Sequence, residues 1–145
     1  MARCAVAGRA SAVSTAARGP SLYATAASGR LVVREIGIFN TTAVAMAAGV
    51  AIASAAGTVG AALTEVNMDD SSHTILGTGF NTHTVDATIV GTVQQASLGA
   101  AIGSGVIFTF GGQGLVIDEG TANGVVIICP TGTGQIIDFY IIWDE

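Results

Sequence analysis

The chain has 145 residues, with 5 Lys+Arg against 10 Asp+Glu, 20 Gly, and half of its residues hydrophobic. That length builds one domain around one core, and so apolar a composition excludes a chain disordered throughout. Too few Lys, Glu and Gln are present to clothe a helical bundle. Two cysteines, Cys4 and Cys129, are too few for a disulfide scaffold or a zinc site.

Charge divides the chain in order. All five basic residues (Arg3, Arg9, Arg18, Arg30, Arg34) precede all ten acids, which begin at Glu35. Residues 1–30 are rich in Ala, Ser and Arg. Arg9 and Arg18 interrupt any apolar stretch long enough for a secretory leader. The segment reads as an extended basic arm that leaves the body and lies on another chain, a further copy or a different protein. In that reading Arg3, Arg9 and Arg18 meet carboxylates of the neighbour. Leu22 and Tyr23 are buried there, with Ala5, Val6 and Val13. These five (Arg3, Arg9, Arg18, Leu22, Tyr23) are the candidate partner-binding residues. Residues 31–145 form the expected domain.

Strands are expected near 22–26 and 31–39, with Asn40-Thr41-Thr42 turning into the next. From Val44 to Ala53 the larger side chains fall mainly on even positions, a period-two pattern that marks a strand at 43–53. Too few large aliphatics accompany it for a membrane-spanning helix. Further strands are expected near 62–66, 73–76, 85–93, 106–110, 115–118, 125–129 and 135–143, between Gly-rich turns. In the last strand Ile137, Phe139, Ile141 and Trp143 share one face, and Asp138, Tyr140 and Asp144 share the other. Apolar on one face and mixed on the other suits an antiparallel sheet packed on a second sheet. The expectation is an all-β antiparallel sandwich, a jelly roll, with an N-terminal arm.

Motifs that carry chemistry are weak. Gly77-Thr78-Gly79 and Gly132-Thr133-Gly134 lack the third glycine of a nucleotide loop and read as hairpin turns. Gly103-Ser104-Gly105 lacks the frame of a nucleophile elbow. His73 and His83 are the only histidines. They fall on different expected elements and read as polar loop residues. Asn67, Asp69, Asp70, Ser71 and Ser72 lack calcium-loop spacing. Cys129 reads as a small core residue. Basic residues interleaved with aromatics, the mark of a nucleic-acid groove, do not occur. The expectation is therefore no enzyme, no cofactor, no metal, no nucleic acid and no membrane.

LVVREIGIFNTT (31–42), ALTE (62–65), FNTHT (80–84), LGAAIGSGVIFTFGGQGLVI (98–117), GTANGVVIICPTGTGQ (120–135) and DFYIIWDE (138–145) resemble a family of small virion structural proteins from phages and prophages of high-GC bacteria. The resemblance spans most of residues 31–145, leaves the N-terminal segment outside it, and is weakest at the Ala-rich stretch 43–53. It implies a structural role, most specifically a capsid decoration (cement) protein. Such a protein is made in the host cytoplasm and bound to the outer surface of the head. The major capsid protein and further copies of the chain would be its partners. Composition adds to this: with 10% charged residues and no Lys, the sheet edges lack their usual protection. An oligomer is expected, a trimer by capsid analogy. The alternative is a carbohydrate- or receptor-binding sandwich of a phage tail or fibre.

Overall fold

Short runs rich in β-branched, aromatic and small residues pair into two antiparallel sheets. The computed structural model describes residues 1–10, 17–25, 29–130 and 134–145. Its strands, in chain order, are β1 (Arg3–Ala10), β2 (Ser21–Ala24), β3 (Leu31–Asn40), β4 (Met46–Ala55), β5 (Val66–Asn67), β6 (Gly77–Phe80), β7 (Thr88–Leu98), β8 (Gly105–Thr109), β9 (Leu115–Ile117), β10 (Gly124–Ile128) and β11 (Ile137–Asp144). No helix occurs among the described residues. One sheet runs β5-β1-β11-β3-β8, with β9 also on β3, and the other runs β6-β2-β10-β4-β7. The pairs β4–β7, β3–β8, β2–β10 and β1–β11 nest inside one another, as in one long two-stranded ribbon folded over on itself. Pairing of β3 with β11 and of β4 with β10 closes the folded ribbon into sheets.

The facing sides of the sheets make the core. Cys4 and Val6 of β1, Ile36 and Ile38 of β3, and Ile137, Phe139, Ile141 and Trp143 of β11 meet Leu22, Val50, Val125 and Ile127 across the gap. The alternation read in the last strand is therefore the real one. Burial of such side chains contributes roughly 1.5–3 kcal/mol each relative to exposure. Asn40 closes β3 as expected. Its Oδ1 accepts from the Thr42 N–H at 3.0 Å and its Nδ2 donates to the Val44 carbonyl at 2.6 Å. This side chain is fully buried.

The expected arm is corrected. Residues 3–10 are not an extension but a full strand, seated between β5 and β11. Residues 21–24 are a strand of the other sheet, between β6 and β10. The boundary expected at residue 30 does not divide the fold. The physical reason lies in RCAVAGRA itself. Cys4, Val6 and Ala10 point into the core while Arg3, Ala7 and Arg9 are exposed. That is strand alternation written in small side chains. The expectation of a turn at Gly77-Thr78-Gly79 is corrected as well, because these residues lie in β6. A Cβ on Gly79 would press on Val6 and one on Gly77 on Trp143, so both glycines are set by close packing. Gly132 and Thr133 lie outside the described residues.

A second, smaller core lies on the outer side of the β6-β2-β10-β4-β7 sheet. Tyr23, Ala51, Ala53, Val126 and Ile128 pack there against Ala17 and Ala87, with Ala56 and Phe80 beside them. The segments around 17–19, 56–62 and 81–87 form this covering layer. They are joined by the His83 N–H to the Arg18 carbonyl at 2.7 Å, the Ala87 N–H to the Ala17 carbonyl at 3.0 Å, and bridges Thr58–Val85 and Ala62–Phe80. Here the reading of β4 needs refinement. Ala51 and Ala53, on the blander positions, are buried as deeply as Val50. Small residues suit a strand covered on both faces.

Candidate functional site

The five arginines find carboxylates, as their charge demands, but within the same chain. Arg9 stands opposite Asp138 in the β1–β11 register and pairs with it through Nε at 2.6 Å. Arg3 and Arg34 flank Asp144 from β1 and β3, at 2.9 and 2.6 Å. Arg18 pairs with Asp86 and Arg30 with Asp118. Burial pushes Asp144 upward, and the hydrogen bonds from Arg3 and Arg34 overcome this, leaving its carboxyl below the ordinary value. Of the five residues expected to bind a partner, Leu22 is in the core and Tyr23 in the outer core. Arg3, Arg9 and Arg18 are engaged in these ion pairs. In the structure these three arginines meet carboxylates of their own chain.

A denser constellation forms where β1 meets β5 and β11. The Glu145 carboxylate is almost fully buried. Its Oε1 accepts from the Leu76 N–H at 2.8 Å and from His73 Nε2 at 2.9 Å. Its Oε2 accepts from the Gly77 N–H at 2.9 Å and from Trp143 Nε1 at 3.0 Å. The Cys4 thiol approaches the same Oε1 at 3.9 Å and Asn67 Oδ1 at 3.4 Å. Burial raises Glu145, but these donors outweigh it and hold its carboxyl below the ordinary value. For Cys4, burial first, then the Glu145 and Asp69 charges, push the thiol up to about 11. Nothing in the spacing of residues 4, 73 and 145 announces this meeting; only the β1–β11 pairing creates it. Nearby, Asp69 and Asp70 are spent on local bonds. Asp69 accepts from the Arg3 N–H at 2.8 Å, and Asp70 from the Ser72 N–H at 2.9 Å.

His83 lies in the covering layer. Its Nδ1–H donates to the Ala56 carbonyl at 2.7 Å, so Nε2 accepts from the Ser21 hydroxyl at 2.7 Å. Atom for atom this is a hydroxyl–imidazole pair of the kind that activates nucleophiles. Both residues are buried, however, Ser21 completely, and no substrate atom reaches the hydroxyl. The pair pins the layer to the sheet. Desolvation lowers the His83 pKa despite the bond to Ala56, which keeps the ring neutral as this geometry requires. A cavity of about 290 Å³ opens beside Tyr23, Ala56, Val59, Thr78 and Phe80. The buried Tyr23 hydroxyl has no hydrogen-bond partner among the described residues, and burial pushes it up to about 12.

The last feature is an open edge. β7 and β8 end their respective sheets and pack side by side. Residues 87–117 contain no charged side chain. Ile89, Val90 and Val93 of β7 and Ile107 of β8 are exposed. Between the two strands lies a hollow of about 410 Å³ lined by Gln94, Gln95, Ile107, Phe108 and Thr109. The Gln94 Oε1 there is buried and without a partner among the described residues. No helix among the described residues is long and apolar enough to cross a membrane. No family model, no curated protein and no solved structure matches this chain.

Proposed function

We propose that the chain is a structural subunit that acts by self-association, and specifically a capsid decoration protein bound to the outer surface of a phage head. The observation that carries this reading is the β7–β8 edge. It is long and free of charge, it exposes Ile89, Val90 and Val93, and it holds a buried amide oxygen that lacks a donor. Monomeric sheet proteins protect such edges with Lys, Pro or short strands. Here Lys is absent from the whole chain. A second copy of the chain is the occupant that fits. A strand added to β7 would supply N–H donors to the open ladder and cover the exposed side chains, and an uncharged edge meets its own copy without repulsion.

Strand order supports reading the sandwich as a jelly roll. Apart from β5, β6 and β9, the sheets run β1-β11-β3-β8 against β2-β10-β4-β7. That is the order a four-tier antiparallel ribbon takes when it wraps into two Greek keys, an architecture used in viral shells and in lectins. The sugar-binding alternative lacks its usual platform, since no aromatic side chain among the described residues is exposed. The fold alone does not assign the role; the edge and the family resemblance of residues 31–145 support it.

Two measurements test the reading. Sedimentation of the purified chain at micromolar concentration should give a homo-oligomer, and Val90→Lys with Val93→Lys should return it to a folded monomer. A wild-type monomer would refute self-association. Mass spectrometry of phage particles from a host that encodes the chain should find it on the intact head. Its absence from such particles would refute the virion role.

A further inference from the structure

We propose that Cys4, His73 and Glu145 form a binding site for a borderline-soft divalent cation, Zn²⁺ or its analogue Co²⁺. One ligand atom from each, Cys4 Sγ, a His73 ring nitrogen and a Glu145 carboxylate oxygen, lies within 4.8 Å of the others. The His73 Nε2 to Glu145 Oε1 separation is 2.9 Å and that from Cys4 Sγ to the same oxygen is 3.9 Å. Tetrahedral zinc, with bonds of about 2.0–2.3 Å, sets its ligand atoms roughly 3.3–3.6 Å apart. These two separations bracket that value, and the third, from Cys4 Sγ to the His73 ring, is no more than 4.8 Å, so side-chain rotations would bring the three atoms onto one ion. A thiolate, an imidazole and a carboxylate together select zinc-like cations over magnesium or calcium.

The surroundings already do what outer partners of a metal site do. Glu145 is oriented by the Gly77 N–H and Trp143 Nε1 on Oε2 and by the Leu76 N–H on Oε1, the same oxygen that His73 and Cys4 approach. Asn67 donates to the His73 carbonyl at 2.8 Å, fixing that backbone, and its Oδ1 lies 3.4 Å from Cys4 Sγ. That oxygen or a water is the fourth ligand. Cys4 comes from β1, Asn67 from β5, Glu145 from the end of β11 and His73 from the loop before β6. One ion would therefore fasten four separate stretches of chain. The His73 side chain is 27% exposed, which leaves an approach for the ion.

The exchange balances in protons. The cation replaces the proton that His73 Nε2 shares with Glu145 Oε1. The neutral ring keeps its one proton, moved to Nδ1. The Cys4 thiol loses its proton to solvent as the sulfur–metal bond forms. No oxidant or reductant is involved.

Cobalt titration of the purified, reduced full chain tests the site. One equivalent of Co²⁺ per chain should produce thiolate-to-cobalt charge-transfer absorption with tetrahedral d–d bands, and Zn²⁺ should erase both. Cys4→Ser should abolish the charge-transfer band, whereas Cys129→Ser should retain it. His73→Ala changes a partly exposed loop residue and should preserve the fold, which circular dichroism checks. It should weaken cobalt binding about tenfold or more. Stoichiometric Zn²⁺ should raise the melting temperature of the wild type and leave that of His73→Ala unchanged. A wild type without the band, or a band that survives Cys4→Ser, overturns the site and leaves the cluster as a hydrogen-bond network only.

Discussion

On one side the two sheets end in β5 and β6, strands of two and four residues. On the other they end in β7 and β8, of eleven and five. The first side is dressed in charge and bonds. Glu65 accepts from the Gly79 N–H, Asp69 from Arg3, and Glu145 from four donors. The second side has no charge between residues 87 and 117 and leaves the buried Gln94 Oε1 without a partner. The contrast teaches that the same sandwich can close one edge chemically and leave the other open. A short strand with carboxylates offers no ladder to join, while a long neutral strand offers little else.

The largest expected effect comes from breaking the closed side at its core. Trp143→Ala removes a fully buried side chain that also donates to Glu145. It should cost about 3–5 kcal/mol in urea denaturation. A loss below 1 kcal/mol would mean that this side is not where the fold is held. Next comes Glu145→Ala, measured with a chelator present. It strips an acceptor from four donors and should cost about 2–4 kcal/mol, since each buried donor left unmade costs about 1–3 kcal/mol.

Acid should weaken the molecule in two stages. His83 has a lowered pKa, so the unfolded chain takes up its proton first, and stability declines as the pH falls below about 6.5. Asp138, Asp144 and Glu145 are also lowered. Their contribution is present above the ordinary carboxylate range and is lost as the pH falls through about 4 and below. Denaturation midpoints from pH 7 to pH 3 should show both declines, and His83→Gln should remove only the first. A single decline near pH 4 in the wild type would contradict the buried neutral ring.

The smallest effect on stability belongs to the open side. Val90→Lys alters an exposed residue and should shift monomer stability by no more than about 0.5 kcal/mol, while self-association measured by light scattering falls. Equal loss of stability and association would make β7 part of the core rather than an interface.

Alternation in 135–143, Gly-rich turns and the scarcity of helix formers were enough to read an antiparallel sandwich from the sequence, because those signals are local and period two is unambiguous when side chains are large. Asn40-Thr41-Thr42 was legible for the same reason. The strand at 3–10 was not read as one, since Ala, Gly and Cys alternate without contrast and its arginines suggested a free arm. Their partners Asp138 and Asp144 lie more than 125 residues away, and only the β1–β11 pairing makes those charges neighbours. The covering layer over β4, the His83–Ser21 pair and the Cys4–His73–Glu145 cluster share that origin. Each joins residues from segments that sequence distance keeps apart, and burial by other segments, rather than any spacing rule, decides what those side chains touch.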